Sequence, residues 1–253
     1  MYAPERQNEI VARARAAGRV DVATLAAELD VAAETVRRDL TVLERRGLLR
    51  RVHGGAVPVE RLTLEPSVDE RDLANTDAKD AIARAALALL DDASTIVIDG
   101  GTTTARLAAL LPENRELTVI THALPVAAAV ATRPGITLHL VGGHVRGRTL
   151  VATGPWTTAA LGSLRADVVV LGANGVSVDR GLTTPDLAEA EAKRALAAAG
   201  RRVIVLADHT KIGRDELVAF ATIESVDTLV TDAGVDPDLL TELAAAGVEV
   251  VTA

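Results

Sequence analysis

The 253-residue chain has room for one large domain or two smaller ones and can bury a core without staples. It has no cysteine, which excludes disulfides and thiolate metal sites. Aromatics are 1% of the residues (Tyr2, Trp156 and Phe220), so base stacking on aromatic platforms is excluded and the core must be aliphatic. Taken whole, the net charge of −8 argues against DNA binding, but the charge is unevenly distributed. Residues 1–56 hold ten arginines and eight acidic residues, whereas residues 57–253 carry a net −10. Between Thr35 and Gly55 six arginines face only Asp39 and Glu44. A small basic module on an acidic body is the asymmetry of a DNA regulator whose body must not cling to phosphates. The charged start MYAPERQNEI and the lack of any long apolar run point to a cytoplasmic protein.

In chain order, helices are expected over Glu5–Ala17, ended by Gly18, over Val22–Leu29, and over Ala33–Arg46, closed by Gly47. In the third, Val36, Leu40 and Leu43 recur at i, i+4 and i+7 and face the core. That phase turns Glu34, Arg38, Thr41 and Arg45 outward, with Thr35 and Arg37 on the flanks. Leu48–Val52 and Ala56–Val59, around His53-Gly54-Gly55, form the two strands of a wing. A turn of about three residues before the last helix sets that helix in a DNA major groove. Thr35, Arg37, Arg38, Thr41 and Arg45, with Arg51 and His53 of the wing, are therefore the candidate DNA contacts. The plainer alternative is a three-helix bundle with solvated arginines.

Residues 59–75, which lack clear periodicity, are expected to be a linker. From Thr76 helices alternate with strands. The expected helices are Asp77–Leu90, Thr103–Leu111, Leu124–Thr132, Thr157–Leu164, Asp186–Ala199 and Pro237–Ala245. The expected strands are Thr95–Asp99, Leu117–Thr121, Thr137–Val141, Asp167–Leu171, Val203–Asp208, Thr228–Thr231 and Glu249–Val251. Apolar runs such as TIVIDG and VIVLAD are buried on both faces, as in a mainly parallel α/β sheet flanked by helices.

Ligands of such sheets bind beyond the C-terminal strand ends. The loop Asp99-Gly100-Gly101-Thr102-Thr103-Thr104 follows a strand and opens a helix, so it can cradle an anion, although a plain tight turn would look the same. It matches neither a P-loop nor GxGxxG, which argues against nucleotides. Other strand ends contribute His122, Gly143, Asn174, Asp208 and Lys211. Glu189 and Lys193 share a helix face, and a surface salt bridge is the bland reading of that pair. No metal or cofactor site is evident. A sugar-phosphate isomerase with Glu189 as base is the enzymatic alternative. Its strand-end loop GANGVSVDRGL offers only Asn174 and Asp179 and no lysine, so no enzyme is expected.

The run ETVRRDLTVLERRGLLRRVHGGA resembles the signature of the DeoR family of transcriptional regulators, supported upstream by Arg6, Ile10, Gly18 and Leu25-Ala26. One departure is Ala32, where the family usually has a helix-capping serine. Arg71 and Lys79 also resemble family positions. The resemblance implies a winged helix plus an effector domain of ribose 5-phosphate isomerase-like fold, acting as a sugar-operon repressor and homo-oligomer. It implies that Gly100–Thr104 hold the phosphate of a sugar phosphate, with Asp99, Glu189, Lys193, Asp208 and Lys211 around the sugar. Thr121-His122-Ala123 departs from the family's Thr-Asn-Ser, so hydroxyl recognition is expected to differ there. RRVHGGAVPVERL and GLTTPDLAEAEAKRAL resemble actinobacterial members linked to fructose uptake, which nominates fructose 1-phosphate.

Overall fold

In the computed structural model, residues 3–45, 49–52, 54–58, 65–113 and 115–253 are described. The chain divides into two compact units, Met1–Leu64 and Glu65–Ala253.

The first unit holds α1 (Ala3–Ala17), β1 (Val20–Asp21), α2 (Val22–Glu28), α3 (Ala33–Arg45), β2 (Leu49–Val52) and β3 (Gly55–Pro58). Ile10, Leu25, Val36, Leu40, Leu43 and Leu49 form its buried core, so α3 takes the helical phase expected from its apolar spacing. Asp21 caps α2 by accepting from the amides of Ala23 at 2.8 Å and Thr24 at 3.3 Å. β1 was not expected, because two residues are too short to show a period. It pairs with β3, giving an antiparallel sheet of order β1-β3-β2. Gly55 makes that pairing possible: a Cβ there would lie 2.0 Å from the Val20 carbonyl oxygen.

α3 starts without a side-chain cap. The Ala32 carbonyl accepts from Thr35 and Val36, but its methyl cannot accept anything. Ala32→Ser is therefore expected to stabilise the protein by about 1 kcal/mol, read as a raised midpoint in urea unfolding. No rise in midpoint would show that the N-terminal amides of α3 are satisfied by water at no cost.

The second unit opens with α4 (Val68–Asp72), α5 (Thr76–Ala88), β4 (Thr95–Ile98), α6 (Thr102–Leu110), β5 (Leu117–Thr121), α7 (Leu124–Val130) and β6 (Ile136–Leu140). There follow β7 (His144–Arg146), β8 (Val151–Thr153), α8 (Pro155–Gly162), β9 (Ala166–Gly172), β10 (Gly175–Ser177), β11 (Gly181–Thr184) and α9 (Leu187–Ala199). β12 (Gly200–Leu206), β13 (Val218–Ala221), β14 (Thr228–Thr231), α10 (Pro237–Ala245) and β15 (Glu249–Thr252) complete it. Seven strands form one parallel sheet in the order β15-β14-β12-β9-β4-β5-β6. Alternate residues enter two cores. Ile96, Ile98, Val170 and Ile204 pack with Ile82, Leu107 and Val126 of α5, α6 and α7. Val97, Val169, Leu171 and Val205 pack with Leu161, Leu196 and Leu243 of α8, α9 and α10. Continuous apolar strands are what this double burial requires.

Two small antiparallel elements were missed: the hairpin β7-β8 and the sheet β10-β11-β13. Their strands are three or four residues long, too short to carry a readable alternation. The linker expected over 59–75 is revised at its second half, while 59–64 lie outside the described residues. Residues 65–75 belong to the second unit and contain α4. Ser67 accepts from the Glu70 amide at 3.2 Å and Glu70 accepts from the Ser67 amide at 2.8 Å, a capping box. Among the described residues no helix is long and apolar enough to cross a membrane.

Candidate functional site

The ends of β4, β5, β9 and β12 open onto a cavity of about 200 Å³. Its wall includes Asp99 and Gly100–Thr104, His122, Asn174, Glu189, Lys193, Asp208 and Lys211, so twelve of the thirteen expected effector residues converge. Gly143 is the exception. It packs against Thr157 and the Thr153 carbonyl, away from the cavity, because the chain turns there into β7.

Asp99 is the hub, fully buried at the end of β4. Its carboxylate accepts from the amides of Gly100 at 2.7 Å and Gly172 at 3.0 Å and from the Lys193 ammonium. Lys193 also donates to the Gly172 carbonyl at 2.9 Å and stands 5.2 Å above the Phe220 ring. Burial alone would raise the Asp99 pKa, but the charge of Lys193 and the contact with His122 outweigh it and hold the pKa at about 2. His122 Nδ1 lies 2.7 Å from the Ala152 carbonyl and Nε2 lies 3.1 Å from Asp99 Oδ1. Both ring nitrogens are thus engaged by the protein. His122 braces Asp99 and leaves no nitrogen for a sugar hydroxyl, which revises its expected role.

Beside this hub sits the N-terminus of α6. The Ala105 amide reaches the Gly101 carbonyl, whereas the amides of Gly101, Thr102, Thr103 and Thr104 find no acceptor among the described residues. Four unpaired donors at a helix start, reinforced by its dipole, favour an anion. Gly100 is required here, since a Cβ would meet Val151 Cγ1 at 2.1 Å. Arg71, Lys79 and Lys211 line the same cavity. The Lys211 pKa is lowered by burial and by Arg214 and Arg71, with Asp208 opposing. The Lys79 pKa is likewise lowered by burial, partly offset by Asp208, with Arg106 and Lys211 adding to the fall.

The surface salt bridge between Glu189 and Lys193 does not form: both are buried and each has other partners. Glu189 accepts from Arg146 and from the Thr149 hydroxyl. Arg146 also pairs with Glu65 at 3.0 Å and Asp186 at 3.1 Å. Asp208 accepts from Asn75 at 3.2 Å and from the Thr210 amide at 3.0 Å. Sequence reasoning missed Pro66, Glu70, Asn75 and Thr149 in the wall, all from segments taken as linker or loop. The capping box Ser67-x-x-Glu70 was the available signal for the first three.

On the first unit, Arg37 and Arg38 are exposed and Thr35 is half-buried at the start of α3. Arg37 makes a weak surface pair with Glu34 at 3.2 Å. Thr41 is half-buried rather than turned fully outward. Its hydroxyl donates to the Arg37 carbonyl at 2.9 Å and accepts from Arg51 at 3.3 Å, linking helix to wing. The Arg51 amide also bonds Glu44 at 3.0 Å. His53 and the Arg45 side chain lie outside the described residues. Inside the unit, Asp39 accepts from Arg6 at 2.6 Å and Gln7 at 2.9 Å, clamping α3 to α1.

Residues 6–61 match the model of the DeoR-like helix-turn-helix domain and residues 74–233 that of the DeoR C-terminal sensor domain. The helix-turn-helix type regulator GlpR of Haloferax volcanii is 34% identical over 251 residues, covering 99% of this chain and 98% of its own. The glycerol-3-phosphate regulon repressor of Escherichia coli is 32% identical over 233 residues, 92% of each chain. Ribose 5-phosphate isomerase A of Methanocaldococcus jannaschii overlays 55% of each chain with a TM-score of 0.39 and 17% identity, a likeness that adds no weight. Asp179, the remaining acid of the isomerase alternative, is exposed and outside the cavity. The matched models are a DNA-binding and a sensor domain, so the chain is not an enzyme. It belongs to the DeoR family of transcriptional regulators.

Proposed function

We propose that the protein represses a sugar-metabolism operon as a homo-oligomer on paired half-sites and leaves its operator when a phosphorylated sugar fills the cavity. The observation that carries this reading is the row of unpaired amides at Gly101–Thr104 in a cavity also lined by Arg71, Lys79 and Lys211, a set of donors suited to a phosphate. Glu189, Asp208 and Asn174 supply acceptors for sugar hydroxyls, while Asp99 and Lys193 keep the floor of the site rigid. Fructose 1-phosphate is the first effector to test. The effector binds better to the conformation with low operator affinity and so shifts the population toward it.

On the DNA side, Thr35, Arg37 and Arg38 reach base edges or phosphates from the start of α3, and Arg51 follows from the wing. Arg45 and His53 are proposed as further DNA contacts on the strength of their sequence positions. Thr41 acts through Arg51 and the helix backbone. Arg38→Ala is expected to weaken specific binding to the upstream DNA by roughly 10- to 100-fold, the worth of one bidentate arginine contact. Electrophoretic mobility shifts with specific and scrambled duplexes measure it, and unchanged affinity and specificity would remove Arg38 from the interface. Failure of the wild-type protein to form any specific complex at low salt would refute the repressor reading itself.

A further inference from the structure

The segment 65–75 walls the cavity with Pro66, Glu70, Arg71, Ala74 and Asn75. It is held from behind. The Val68 amide bonds the Arg148 carbonyl at 2.9 Å, Arg148 reaches the Glu65 carbonyl, and Arg146 pairs with the Glu65 carboxylate at 3.0 Å. Lys79 clasps the carbonyls of Arg71 and, at 2.6 Å, Ala74. The Arg71 backbone is therefore fixed, yet its side chain is unfinished: Nε is buried and has no hydrogen-bond partner among the described residues. A buried guanidinium nitrogen left unpaired is costly, and here it lines a cavity that also exposes the α6 amides. Its field already depresses Lys211, so the electrostatic deficit of this corner is a missing negative charge.

Resting on the effector reading above, we infer that Arg71 is a direct phosphate contact, closing over the anion from the segment 65–75. A guanidinium offers a phosphate two parallel donors, which a lysine cannot. The contact would make the first segment of the sensor unit part of the effector site. Occupancy would then be sensed at Glu65, the residue at which the chain arrives from the DNA-binding unit.

The test is calorimetric titration of full-length wild type, Arg71→Ala and Arg71→Lys with fructose 1-phosphate and separately with inorganic phosphate, alongside unliganded melting curves. Arg71→Ala is expected to weaken both probes by the same factor, roughly 10- to 100-fold, with the unliganded melting temperature unchanged. Arg71→Lys should fall between the two because charge is kept and the fork is lost. A merely structural role would lower the melting temperature and would not track the phosphate group across both probes. Wild-type affinity of Arg71→Ala for both probes would overturn the assignment while leaving the effector reading intact. If Arg71→Ala fails to fold, Arg71→Lys decides alone: weaker binding of both probes supports the contact, and unchanged binding refutes it. Binding of neither probe by wild type would defeat both the effector reading and this contact.

Discussion

Lys193→Ala is expected to destabilise the protein by about 3–5 kcal/mol, a fall of roughly 10 °C in the melting temperature of the sensor unit. Lys193 and Asp99 are both almost fully excluded from water, and removing the ammonium strands a carboxylate at the end of the central strand β4. The Gly172 carbonyl loses a donor and Phe220 loses its cation in the same step. The pH dependence separates this mechanism from a simple packing defect. In the wild type the folded-state pKa of Asp99, about 2, lies below the ordinary 3.8. Folding thus gains on the order of 2 kcal/mol from this group. That gain is complete above about pH 4 and is lost as the pH falls toward 2. Without Lys193 the pKa rises, protonation at low pH relieves the stranded charge, and the stability gap narrows below pH 4. Thermal melts at pH 7 and pH 3 read both effects. A gap that stays constant across that range would mean the loss comes from packing and not from the ion pair.

Asp39→Ala should cost about 3 kcal/mol in the winged-helix unit, because it takes the acceptor from two buried donors, Arg6 and Gln7. The clamp runs from α1 to the middle of α3, one residue after Arg38. Operator affinity is therefore expected to fall further than stability alone explains, since α3 loses its fixed rotation against α1. Urea unfolding followed by operator titration at temperatures where the variant remains folded distinguishes the two losses. Full operator affinity in a folded Asp39→Ala protein would show that the helix packing of Val36, Leu40 and Leu43 orients α3 unaided.

The parallel sheet was readable in the sequence because segments such as Ile96–Ile98 and Val203–Leu206 bury both faces and carry unbroken apolar runs. α3 was readable because its apolar residues leave one possible rotation. Short antiparallel pieces were not. Val20–Asp21 owes its strand geometry to a long-range partner, and Gly175–Ser177 pairs across a short hairpin over too few residues for a local pattern to show. The site followed the same division. Strand-end positions such as Asp99, Asn174 and Asp208 could be located from topology alone, since the C-terminal edge of a parallel sheet is where they must lie. The roles of His122 and Glu189 depended on who touches them. A histidine spent on Asp99 and the Ala152 carbonyl looks identical in sequence to one that faces a ligand, and a glutamate held by Arg146 and Thr149 looks identical to one in a surface salt bridge. Asn75 entered the wall because a capped turn, Ser67 to Glu70, folds the expected linker onto the sensor unit.

The most direct test of a repressor that senses a phosphorylated sugar is operator affinity, followed by fluorescence anisotropy, as fructose 1-phosphate is raised at constant salt and pH. Coupling of the two sites predicts that operator affinity falls by a factor of about 5 to 150 and that unphosphorylated fructose has no effect. A specific operator complex whose affinity stays the same at saturating fructose 1-phosphate, and with every other sugar phosphate tried, would contradict it.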